Sequence, residues 1–148
     1  MRTASEVAKQ IILLAQKEEG LVNTLSPLKL QKLLFYSQAW YAANKDERLF
    51  DDDIVAWKHG PVIQDVYHEY KGYGSQDLKQ VKVDVKRNAS LAKDLKPILE
   101  VYGNMSAYEL VARTHKEEVW RKNYQALNKL MPFEEIRKTF KLQLAASF

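Results

Sequence analysis

The sequence predicts a mainly helical α+β domain, and two observations carry that expectation. Helix-start signals recur along the chain: T-x-x-E at Thr3–Glu6 and Thr114–Glu117, S-x-x-E at Ser106–Glu109, and Ser26 followed directly by Pro27. A Ser or Thr side chain at such a position accepts from N–H groups that a first helical turn leaves unpaired. Proline at the first helical position has no N–H to lose. Against these signals stand two short stretches with strand character, Ile54–Trp57 and Val81–Val85. About six or seven helices and one small two- or three-stranded antiparallel sheet are expected.

Taken in order, Val7, Ile11, Leu14 and Ala15 recur at helical spacing behind the first capping box, and Gly20 ends that helix. Behind Ser26 and Pro27, the second helix places Leu30, Leu33, Leu34, Ser37 and Tyr41 on a core face. Lys29, Lys32, Tyr36 and Trp40 fall on the neighbouring face, read as a basic and aromatic stripe near the surface. Helix signals stop after Asn44, and Ile54–Trp57 reads as a short strand. In "AWKHGPV", Ala56–Val62, Gly60-Pro61 is expected to turn the chain and open the next helix, which carries Val62, Ile63, Val66, Tyr67 and Tyr70. "GYG" at 72–74 stops it. Val81–Val85 alternates with period two and is expected to pair with the earlier strand or form a hairpin arm. Asp94 is expected to cap a helix with Pro97 in its first turn and Gly103 at its end. Two helices follow from the boxes at Ser106 and Thr114, and Phe133, Ile136 and Phe140 mark a short last one.

The chain of 148 residues shows no internal repeat, linker or low-complexity stretch, so one domain spanning 1–148 is expected. Apolar residues at 46% and charged residues at 28% exclude a disordered composition. Absence of cysteine excludes disulfides, zinc–thiolate sites and a thiol nucleophile. The apolar run Ile11–Ala15 is too short for a signal-peptide core or a membrane span, which points to the cytoplasm and away from membranes. Net charge is +4, from 23 basic and 19 acidic residues. The densest basic run, Lys79–Lys96, alternates its charges with Val81, Val83 and Val85. It reads as the wet face of an edge strand rather than a phosphate-binding groove.

Catalytic patterns are missing. His59, His68 and His115 have no metal-binding spacing, and Asp51–Asp53 lacks the ligand alternation and glycine of a calcium loop. "GYGSQ" is neither a dinucleotide turn nor a nucleophile elbow. No enzyme activity, metal or cofactor is expected. The aromatics are more informative: Trp40, Trp57 and Trp120 accompany eight tyrosines. Tryptophan and tyrosine beside basic residues are what protein interfaces favour. Two candidate partner surfaces follow, one from Lys29, Lys32, Tyr36 and Trp40, the other from Trp57, His59 and Tyr67 around the turn.

Five blocks in series carry a resemblance: "KLQKLLFYSQAW" (29–40), "LFDDDIVAWKHGPV" (49–62), "VYHEYK" (66–71), "VYGNMSAYEL" (101–110) and "THKEEVW" (114–120). In this order and spacing the chain, over roughly residues 6–142, resembles the Panacea domain family of SocA-like or GepA-like, phage-associated proteins. The resemblance implies an antitoxin that neutralises a protein toxin encoded beside it by binding it directly. It also leaves open a protease adaptor delivering the toxin for degradation, or a DNA-binding regulator of its own operon. The apolar tail "LAASF" at 144–148 is compatible with delivery and equally with a frayed helix end. No clean basic recognition helix supports nucleic-acid binding, because Lys116, Arg121 and Lys122 are interleaved with Glu117 and Glu118. Homo-oligomerisation is left open. Within the resemblance, Gly60, Pro61, Thr114, His115 and Trp120 are the structural motif, and the two aromatic and basic sets are the partner-binding candidates.

Overall fold

In the computed structural model, which describes residues 2–147, helix α2 (Pro27–Lys45) is the axis of the fold. Ser26 caps it, its side chain accepting from the Lys29 N–H, and Pro27 stands in the first turn. Every residue from 29 to 39 is buried. Helices α1 (Ala4–Lys17), α3 (Gln64–Tyr70), α4 (Ala89–Tyr102), α5 (Ala107–Lys116) and α7 (Phe133–Ala146) pack around it. Helix α6 (Glu118–Tyr124) completes seven helices among the described residues. One apolar cluster runs from Val7 and Ile11 through Leu30, Leu33, Leu34 and Phe35 to Leu99, Leu110 and Phe140. Leu33 is fully buried near its centre. Leu33→Ala is therefore expected to cost about 2–5 kcal/mol, through lost transfer energy and the cavity left behind. Chemical denaturation of the purified variant measures it, and a loss below ~1 kcal/mol contradicts this packing.

The small sheet orders its strands β2-β1-β3, with β1 at Ile54–Trp57, β2 at Gly60–Val62 and β3 at Leu130–Met131, all antiparallel. Lys58 and His59 form the tip of the β1–β2 hairpin, and Trp57 faces Gly60 in register. The expectation that Gly60-Pro61 turns the chain and starts a helix is therefore corrected. Both residues lie in β2, Pro61 opposite Ala56, and α3 begins only at Gln64 with Ile63 as its N-cap. Proline is tolerated here because β2 is an edge strand.

The expected strand Val81–Val85 does not form; its backbone joins no ladder. Its period-two signal still has a physical origin, since Val81 and Val83 pack on the core while Lys82 and Asp84 are exposed. Side chains of α1 hold the segment: the Gln16 amide donates to the Lys79 and Val81 carbonyls, and that of Gln10 to Lys86. Leu130–Met131 takes the place in the sheet instead, in register with Val55 and Ile54, and the Ala56 N–H donates to the Lys129 carbonyl at 2.7 Å.

Helix starts agree with the sequence where the cap is a Ser or Thr box at Thr3, Ser26 and Ser106. Asn88, not Asp94, caps α4, its side chain accepting from Leu91, so Pro97 lies inside the helix. Thr114 is the buried last turn of α5 and its hydroxyl donates back to the Val111 carbonyl, so it caps nothing. α1 ends at Lys17, before Gly20, which takes φ +83° in the turn that follows. Leu144–Ala146 lie in α7, whose C-cap is Ser147, and Phe148 of the apolar tail lies outside the described residues. No described helix is long and apolar enough to cross a membrane.

Candidate interaction cleft at the β1–β2 hairpin

The hairpin is held from behind by side chains that reach its backbone. The Trp120 indole N–H donates to the Trp57 carbonyl at 3.0 Å, and His115 Nε2 donates to the Lys58 carbonyl at 2.9 Å. From α2, Lys32 Nζ donates to the Pro61 carbonyl at 3.0 Å. The Gln31 amide serves Ile63 twice, accepting from its N–H at 2.8 Å and donating to its carbonyl at 3.1 Å. His115 stacks on Trp120, which stacks on Tyr124, so a pile of flat rings backs β1. Gly60 sits between the two supports with φ +106°. Neither Lys58 nor His59 takes positive φ, so the positive-φ residue that closes the Lys58–His59 turn is this glycine. A Cβ there would stand 2.6 Å from Thr114 Oγ1 and 2.9 Å from Lys32 Cε. Gly60, Pro61, Thr114, His115 and Trp120 are thus brought together as the frame of one hairpin.

In front of that frame lies a cleft of about 390 Å³ between the start of α2, the hairpin and α3. Its walls include Leu28, Trp57, Val66 and Tyr67, with Lys58 and His59 at the hairpin tip and Lys71 beyond α3. Trp57 is half-buried and meets the Tyr67 ring edge-on at 5.2 Å, and Tyr67 remains 40% exposed. Lys58, His59 and Lys71 are exposed. The candidate set Trp57, His59 and Tyr67 is therefore contiguous, as expected, and adds Leu28, Lys58 and Lys71.

The other candidate set does not form the expected surface stripe. Lys29, Lys32 and Tyr36 are 1%, 0% and 1% exposed, because neighbouring helices enclose α2 on all sides. Lys29 Nζ donates to Asn23 Oδ1 and to the Gly103 carbonyl at 2.7 Å, which ties α2 to the end of α4. Burial pushes its ammonium down to about 8, helped by the Lys79 charge. Lys32 is pushed down to about 7 by burial. The Tyr36 hydroxyl donates to Glu117, and its ring stacks on Tyr102 at 4.2 Å; burial raises its pKa well above the usual phenol range. Trp40 is half-buried about one turn beyond Tyr36 along α2, its indole donating to the Tyr102 hydroxyl at 2.8 Å and its ring edge-on to Phe140. Of these four, Lys32 alone reaches the cleft, in its wall.

Sequence reasoning missed the buried amides. Gln31 and Gln38 are seven residues apart on one face of an apolar helix. Gln38 clamps Leu49 and Phe50 as Gln31 clamps Ile63. That spacing was the available signal. Among the described residues no cluster of His, Asp and Glu is arranged to hold a metal ion.

The arrangement is a helical framework presenting a braced hairpin beside an apolar cleft with a cationic rim. Comparison with known proteins specifies it further. The description Antitoxin SocA-like, Panacea domain matches residues 30–121, from the core of α2 to the tryptophan that braces β1. The chain belongs to that family. It is also similar to Antitoxin SocA of Caulobacter vibrioides (strain NA1000 / CB15N), with 30% identity over 115 residues, covering 70% of this chain and 61% of the relative. It thus spans about three fifths of the length of the curated relative it matches. No solved structure matches it significantly.

Proposed function

We propose that this chain is an antitoxin that neutralises a cognate protein toxin by direct protein–protein binding, with the hairpin corner as the contact surface. Membership of the SocA-like family over residues 30–121 carries the proposal. The geometry adds a surface suited to it. Trp57, on a hairpin backbone fixed by side-chain hydrogen bonds from two helices, and Tyr67, on α3, are partly exposed aromatics that meet edge-on. Rigid aromatic anchors lose little conformational entropy on binding and dominate interface energies. Protein in the cytoplasm, where the toxin would act, is the compartment this function implies.

Co-expression with the adjacent gene tests it. A toxic neighbour is expected to be tolerated only when this chain is present, and the two products are expected to co-purify. Absence of both growth rescue and a complex would defeat the assignment.

A further inference from the structure

We infer that the cleft selects a peptide segment of its partner that carries an apolar side chain flanked by carboxylates. The inference deepens the antitoxin reading, on which it rests for the kind of partner. Charge is the first observation. The cleft is lined by Lys32, Lys58, Lys71 and His59, and none of its lining residues is acidic. The carboxylates of α3 do not cancel this set. Glu69 is turned to α1, where Lys9 Nζ at 2.8 Å and the Ser5 hydroxyl at 2.7 Å donate to it, and Asp65 is exposed outside the lining.

Volume and lining supply the second observation. About 390 Å³ is at the small end of ligand pockets, which run from ~300 to ~1,000 Å³, and it suits one or two large side chains rather than a helix. Leu28, Val66, Trp57 and Tyr67 offer the apolar contact. Leu28 and Tyr67 are among the large apolar or aromatic side chains left exposed, at 39% and 40%. An aliphatic or aromatic anchor fills this space, while flanking carboxylates meet Lys58 at the hairpin tip and Lys71 beyond α3.

The third observation is Lys32. It is fully buried in the cleft wall, and the Pro61 carbonyl is its acceptor among the described residues. Its positive charge therefore lies behind the cleft wall and acts on a ligand through its field rather than by direct contact. A carboxylate close to the cleft floor also favours the charged form of that lysine. A cationic segment disfavours that charged form, and a neutral one brings no charge to favour it.

The test needs no toxin, so its outcome is independent of whether the antitoxin function holds. Two terminally blocked pentapeptides serve as probes, Glu-Asp-Trp-Leu-Glu and its charge-reversed counterpart Lys-Arg-Trp-Leu-Lys. Each is titrated into the ¹⁵N-labelled chain, following the Trp57 indole and the Lys58, His59 and Tyr67 amides. Saturable shifts confined to this region are expected with the acidic peptide, with at least tenfold weaker binding of the basic one. The double variant Lys58→Glu/Lys71→Glu changes exposed residues and is expected to keep its melting temperature while reversing the preference. Tyr67→Ala is expected to weaken both peptides. Equal affinity for the two peptides, shifts centred elsewhere, or no shifts at millimolar acidic peptide would each overturn the inference.

Discussion

Gly60→Val is expected to lower stability by about 3 kcal/mol or more, and to abolish any function that depends on the hairpin. Two independent costs add. At φ +106° the residue occupies backbone space that side chains with a Cβ rarely enter, and a β-branched residue is the least suited to it. The first side-chain atom would also stand 2.6 Å from Thr114 Oγ1 and 2.9 Å from Lys32 Cε. Neither neighbour retreats freely. Thr114 is buried and bonded to the Val111 carbonyl, and Lys32 is fully buried and bonded to Pro61. Accommodating valine means moving β2 away from both α2 and α5. Thermal melting of the purified variant is the measurement, with amide exchange at residues 57–63 as a local readout. A melting temperature within about 2 °C of the parent chain would show that the hairpin is not pinned between these supports.

The Gly60 position also shows which parts of the structure a sequence makes visible. Helix starts at Thr3, Ser26 and Ser106 were legible because capping is local: the donor lies three residues from the acceptor. Strand β1 was legible from four residues of β-prone composition. Its partners were not. Leu130–Met131 is two residues long, with no alternation to read, and it was outcompeted by the better pattern at Val81–Val85. That pattern recorded a half-buried extended segment, which has the same periodicity as a strand whether or not a ladder forms. The Trp57–Tyr67 corner was legible because residues ten apart were joined by a recognisable reversal, even though the reversal lies at Lys58-His59 rather than Gly60-Pro61. Burial of the second helix was hidden for a different reason. Lysine on a helix ordinarily marks a wet face. Here Asn23 is the one acceptor near in sequence; the carbonyls of Pro61 and Gly103, which complete the burial of Lys32 and Lys29, are far away, so a window around α2 does not contain that information.

Lys32→Glu is accordingly expected to cost on the order of 3–5 kcal/mol, the effect of leaving a buried charge without a partner. For a domain of this length that is a fall of roughly 6–20 °C in melting temperature. The replacement carboxylate would face the Pro61 carbonyl, an acceptor against an acceptor, in a site with no exposure. Lys32→Met is the informative contrast. It keeps an apolar stem of similar length, removes the ammonium, and is expected to stay within about 1–2 kcal/mol of the parent at pH 7. The two variants also separate through pH. Burial lowers the Lys32 pKa from 10.5 to about 7, and that of Lys29 to about 8, so between those values and 10.5 the unfolded chain binds more protons than the folded one. Stability from these two lysines therefore rises with pH through that window, and their cost is fully present below it. Above about pH 10 the sign reverses: Tyr70 is pushed up to about 12 by burial, and Tyr36 higher still, so unfolded phenols ionise first. The parent chain is expected to be more stable at pH 9 than at pH 7, and Lys32→Met is expected to flatten most of that rise. Urea midpoints at the two pH values decide it. Equal slopes for parent and Lys32→Met would mean that Lys32 is charged and hydrated in the folded protein, and that α2 does present a basic stripe to solvent.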